Sequence, residues 1–195
     1  QETGEEGVGG EQALTGCGDG LHQILEHHGE VCFGFGSLGI HMQAEAFQNH
    51  QVTGIQMAAL MGYEGIECDV KYTKDNVMVV MHDATINKSM RNADYTEISG
   101  DVKVADLTFD ELRNNYVLES TEPAFRLQCP TLEEMLLECK RCGMRPMLHS
   151  SIYESYELAQ KIMGDDWVCF TGDNFENVLK VRSELKSKCT VLWSI

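Results

Sequence analysis

The sequence predicts an α/β fold built on parallel strands. Short apolar runs of strand length alternate with longer runs of helical periodicity from about Glu30 to the last residue. Strand followed by helix, repeated, is the pattern of parallel β-structure. Two of the helical runs open on capping boxes, Thr108 with Glu111 and Thr131 with Glu134, which fixes where those helices start.

Taken in order, "GLHQILEHH" predicts a helix and "EVCFGFG" a strand, then "TGIQMAALMG" a second helix. "GIECDV" and "VMVVMHD" predict two strands joined by "TKDNV", a hairpin turn in which Asn76 tolerates a left-handed backbone. The stretch 87–129 breaks the rhythm and reads as an irregular excursion holding one helix, "TFDELRNNY". "TLEEMLLECKRCG" follows as a helix that Gly143 stops, then strand "MRPMLHSS" and helix "ESYELAQKIMG". The remainder is strand "DWVCFTG", helix "NFENVLKVRSELKS" and strand "CTVLWSI". Residues 1–19, acidic and Gly-rich, are expected to be a poorly ordered arm, and 20–195 a single domain. The chain opens on Gln1 rather than Met, as expected of a fragment or of a chain that has lost a leader or tag.

The net charge of -16 argues against non-specific nucleic-acid binding, which needs clustered Lys and Arg. The same field repels a small phosphate unless a local cation or a ring of backbone amides attracts it, so phosphate chemistry here calls for a metal. No apolar run approaches the ~20 residues of a membrane span. The eight cysteines are irregularly spaced. Cys139 and Cys142 form a lone CxxC with no second pair, so free thiols and a reducing, cytoplasmic compartment are expected, a secreted protein being the alternative.

One stretch carries chemistry. On a strand, residues two apart point the same way, so Glu67 and Asp69 share one face while Ile66, Cys68 and Val70 take the other. The return strand of the hairpin is expected to bring His82 and Asp83 back towards the acids. Carboxylates held side by side repel unless one is protonated or a cation sits between them, and oxygen ligands suit Ca²⁺ or Mg²⁺. A nearby His can then move a proton at neutral pH. The competing reading is a solvent-facing acid pair on an edge strand beside a hydrogen-bonded core histidine.

"AALMGYEGIECDVKYTKDNVMVVMHD" resembles the signature of the glycerophosphodiester phosphodiesterase family: a helix ending in Gly, an Ile-Glu-x-Asp-Val strand, a Thr-Lys-Asp-Gly turn and a Val-Val-x-His-Asp strand. "DLTFDEL" and "CPTLEEML" match later landmarks in the right order. The resemblance implies a TIM-type (β/α) barrel with its site at the C-terminal strand ends. It also implies a metal-dependent hydrolase of small phosphodiesters such as glycerophosphodiesters. Carried over by position, Glu67 and Asp69 match metal ligands for Ca²⁺ or Mg²⁺, and His82 matches a catalytic histidine. Asp83 falls among the substrate-binding positions.

The chain departs from the pattern in three places. The family's first strand ends in His-Arg-Gly, where this chain has Gly34 and Phe35 at the histidine and arginine positions; both remain candidates for substrate contact. A later strand carries Glu-x-Lys in the family but reads "MRPMLHSS" here. Of the two registers, the one placing His149 and Ser151 on the site is preferred, because the other points Ile152 into polar surroundings. His149 is then a substitute ligand that shifts the metal towards Zn²⁺ or Mn²⁺, or else a hydrogen-bonded residue of the barrel mouth. The chain is also short of the ~250 residues of a full barrel, so a barrel incomplete at its C-terminal end is expected, with a homo-oligomer as one way to cover the gap.

Altered or reduced hydrolysis is therefore the leading expectation. A catalytically inactive barrel relic that binds a phosphodiester, or acts through oligomer contacts, is the alternative. A third reading rests on "GFGSLG", a GxGxxG after an apolar strand, which imitates a dinucleotide-binding fingerprint. Its acid, Glu67, lies 28 residues past Gly39, against the ~20 of that fingerprint.

Overall fold

The computed structural model describes residues 32–33, 52–121, 123–170 and 175–192. The arm 1–19, the helix "GLHQILEHH", Gly34, Phe35 and the GxGxxG stretch lie outside them. Among the described residues eight strands and five α-helices are defined: β1 (Cys32–Phe33), α1 (Val52–Leu60), β2 (Gly65–Tyr72), β3 (Met78–Val80), β4 (Met90–Asn92), α2 (Phe109–Asn115), β5 (Tyr116–Leu118), α3 (Leu132–Cys142), β6 (Arg145–His149), α4 (Tyr153–Met163), β7 (Val168–Phe170), α5 (Phe175–Ser183) and β8 (Thr190–Leu192).

The main sheet runs β1-β2-β6-β7-β8, with β3 also paired to β2. Strands β2, β6, β7 and β8 are parallel and stand side by side in chain order. Among the described residues the strand order does not reverse, whereas a dinucleotide-binding sheet turns back on itself. The helices agree. Ile55 and Ala58 of α1, Leu132, Met135, Leu136 and Cys139 of α3, Tyr156 and Ala159 of α4 and Val181 of α5 join one core with Ile66, Cys68, Val70, Leu148 and Cys169 from a single face of the sheet. Met147 and Val168, with Phe170 and Leu192, cluster on the opposite face. Helices outside and apolar side chains inside are the layering of a (β/α) barrel.

The local signals act as the sequence requires. Both capping boxes form, with Thr108 and Thr131 accepting from the backbone N–H of Glu111 and Glu134. Gly143 ends α3 in the left-handed region at φ 67, where a side chain would be strained. Asn76 takes φ 60 in the β2–β3 hairpin. Cys68, Cys129, Cys139, Cys142, Cys169 and Cys189 are free thiols, and burial pushes Cys139 well above the ordinary range.

Two expectations need correction. The first strand does not join the parallel set: Cys32 and Phe33 pair antiparallel with Ile66 and Gly65. Strand–helix alternation does not fix the direction of a two-residue pairing, since an antiparallel contact needs no crossover of its own. The excursion 87–129 is also more than one helix in irregular chain. It holds an antiparallel pair, β4 with β5, and Ile86, Met90, Val104, Leu112, Leu118 and Cys129 form a second core with Val79 and Met81. Its strands are three residues each, too short for periodicity to register.

Removing bulk from either core leaves a cavity. Leu136→Ala and Leu118→Ala are each expected to lower unfolding free energy by about 2–5 kcal/mol, measured by urea denaturation. A shared transition by fluorescence and far-UV circular dichroism would show the excursion unfolding with the sheet.

Candidate active site

Strand β2 owes its place to Ile66, Cys68 and Val70, which face the helices; Glu67 and Asp69 consequently point to the other side. Both acids are buried, at 7% and 5% exposure, on a strand flanked by β1, β3 and β6. The reading of a solvent-facing pair on an edge strand is thereby corrected: parallel pairing to β6 covers the strand.

That pairing sets Asp69 opposite His149. The ring brings Nδ1 to 3.2 Å from Glu67 Oε1 and 3.2 Å from Asp69 Oδ1, so one nitrogen faces both carboxylates. His149 shares its face of β6 with Met147 while Leu148 enters the helix-side core, matching the preferred register. Phe170 packs against the imidazole with ring centroids 4.6 Å apart.

The loop after β6 is tied from three directions. Ser150 Oγ accepts from Ile152 N at 3.0 Å, Tyr156 Oη donates to the Ser150 carbonyl, and Asn177 Nδ2 donates to the Ser151 carbonyl at 3.1 Å. The roles of Phe170 and Asn177 went unread in the sequence. Phe170 is reached only through strand register and Asn177 only through the packing of α5.

Hydrogen bonding to Asp69, then to Glu67, raises the His149 pKa to about 9 against the opposing effect of burial. Without a metal, the two acids thus favour the charged form of His149. Ligand atoms of Glu67, Asp69 and His149 all lie within 4.8 Å of one another. That spacing fits one ion at about 2.0–2.4 Å from each. His149 remains 43% exposed at its side chain, leaving an approach from solvent.

His82 and Asp83 follow the return strand of the hairpin. Met81 N donates to the Asp69 carbonyl at 3.0 Å, so the return strand does reach the acids. Beyond it, His82 is half exposed and lies outside the three-residue cluster; its Nδ1 is 3.0 Å from Asp83 Oδ1.

Comparison with known proteins follows the same lines. The Glycerophosphoryl diester phosphodiesterase family matches residues 43–171. The chain belongs to this family. That assignment, with the strand order, removes the dinucleotide-binding reading. Glycerophosphodiester phosphodiesterase 1 of Mus musculus is 36% identical over 95 residues, 46% of this chain and 26% of the mouse protein. Its Homo sapiens counterpart is 31% identical over 93 residues, 45% of this chain and 25% of the human protein. The matched segment therefore spans about a quarter of those relatives.

Among solved structures, a Silicibacter pomeroyi glycerophosphoryl diester phosphodiesterase superposes with TM-score 0.58 at 16% identity, covering 74% of this chain and 59% of that one. An Oleispira antarctica phosphodiesterase in complex with the product sn-glycerol-3-phosphate gives 0.58 at 15% identity, covering 77% and 63%. These likenesses establish the TIM-barrel fold of the family.

The ion pairs to His149 carry a pH signature. Its folded pKa, about 9, is raised above the ordinary 6.5. The stabilisation is therefore fully present below about pH 6.5 and lost as pH rises through about 9. With EDTA present, the melting temperature is expected to fall more over that window for the wild type than for His149→Gln. Parallel curves would remove the ion pairs as the cause.

Proposed function

We propose that this chain is a metal-dependent phosphodiester hydrolase acting on glycerophosphodiesters, with Glu67, Asp69 and His149 as metal ligands and His82 as a proton carrier. The observation that carries the reading is the buried pair of carboxylates converging with His149 on one point. Family membership supports the reaction class, and the sn-glycerol-3-phosphate held by the Oleispira antarctica enzyme supports the substrate class.

The three side chains would hold a divalent cation, which when bound supplies positive charge to the phosphate oxygens. Glu67 and Asp69 contribute oxygen ligands on the rigid strand β2. His149 contributes nitrogen, an adjustment that favours Zn²⁺ or Mn²⁺ over Ca²⁺ or Mg²⁺. To ligate through Nδ1, His149 gives up its proton. The half-exposed side of the cluster admits the diester. Hydrolysis breaks the bond between phosphorus and the alcohol oxygen and forms one between phosphorus and the oxygen of water. His82 moves a proton at Nε2, either taking it from the attacking water or giving it to the departing alcohol.

The test is alcohol or glycerol-phosphate release from a panel of glycerophosphodiesters, with EDTA and then with Ca²⁺, Mg²⁺, Mn²⁺ and Zn²⁺. Release is expected to need a cation, with Zn²⁺ or Mn²⁺ most effective. Glu67→Gln is expected to lower it by about a hundredfold or more, the scale of losing one preorganised electrostatic partner, and to abolish stabilisation of the fold by the cation. Undiminished release from Glu67→Gln would remove the metal site from the mechanism. Folded protein that binds cation but releases nothing would be a binding relic.

A further inference from the structure

His82 stands on a segment held far more firmly than its exposure suggests. Met81 before it and Ile86 after it are both buried in the second core. Between and beyond them the backbone is pinned to the excursion: Val104 N donates to the Ala84 carbonyl at 3.0 Å, Ile86 N to the Val102 carbonyl at 2.9 Å, and Thr85 bridges to Lys103. Asn87 Oδ1 accepts from Val102 N at 2.9 Å. The excursion is thus the platform on which the histidine rests.

On that platform the carboxylate of Asp83 is divided between two partners. Oδ1 lies 3.0 Å from His82 Nδ1, and Oδ2 lies 3.8 Å from Lys88 Nζ. A carboxylate on Nδ1 places the proton of the neutral ring there and leaves Nε2 with its lone pair, ready for the reacting oxygen. Asp83, a candidate for substrate contact in the sequence, has its carboxylate turned to the histidine.

We propose that Asp83 is a positioning residue for His82, holding the imidazole in the tautomer with hydrogen on Nδ1 so that Nε2 carries the proton in the reaction. The proposal rests on the function assigned to His82 above. Lys88, 83% exposed at its side chain, adds little energy of its own, as surface ion pairs do.

The test joins kinetics to a spectroscopic readout. Long-range ¹H–¹⁵N correlation on the full chain, in EDTA, reads the His82 tautomer in wild type, Asp83→Ala and Asp83→Asn. Turnover of glycerophosphocholine with Mn²⁺ or Zn²⁺ gives kcat and KM for the same proteins. The wild-type ring is expected to carry hydrogen at Nδ1, and Asp83→Ala to move it towards Nε2. Its kcat is expected to fall about 10–100-fold, below the ~10²–10⁴ of losing a general acid–base altogether, with KM nearly unchanged. Asp83→Asn, whose carbonyl still accepts from Nδ1–H, is expected to recover part of both. A tautomer unmoved in Asp83→Ala, or a loss expressed in KM alone, overturns the proposal and returns Asp83 to substrate contact or to a surface ion pair. A wild type inactive under every cation overturns the functional reading itself, and the positioning role with it.

Discussion

Two carboxylates buried side by side on a central strand are the constraint around which this molecule is arranged. Glu67 and Asp69 cannot both remain charged inside a protein without a positive partner, and β6 supplies one by pairing in the register that sets His149 opposite Asp69. Moving β6 by one residue would turn His149 into the helix-side core and Leu148 onto the acids. Packing of Leu148, Cys68 and Cys169 against α1, α3 and α4 opposes that slip, so the apolar side of the sheet maintains the charge balance of the other.

The same arrangement joins the fold to its chemistry. In the proposed reading, a cation entering this site would displace the proton of the imidazolium, and its charge would offset the acidic balance that repels a phosphate. The second core has a comparable double use. It fills the space beside β3 and fastens the segment bearing His82 through Met81 and Ile86. An insertion that looks like a break in the βα rhythm is therefore a support for a proposed catalytic residue.

Much of this could be read from the chain alone. The period-two pattern of "GIECDV" determined which side chains of β2 enter the core and which face the site. Capping boxes at Thr108 and Thr131, the stop at Gly143 and the turn at Asn76 set element boundaries, because each depends on neighbours within a few residues. The resemblance over "AALMGYEGIECDVKYTKDNVMVVMHD" placed the chain in its family.

Contacts between distant residues were decided only by the tertiary structure. Strand order, the antiparallel direction of β1 and the pairing of β4 with β5 depend on which segments meet, and no local pattern encodes that. His149 is the clearest case: in sequence it is one histidine in "MRPMLHSS", either a ligand or a bystander. Its closeness to Glu67 and Asp69 arises from hydrogen bonds between strands 80 residues apart, from Asp69 to His149. Phe170 against its ring and Asn177 beneath its loop come from still later elements. Sequence determined the chemistry available at each position; only the folded register determined which of those groups share one site.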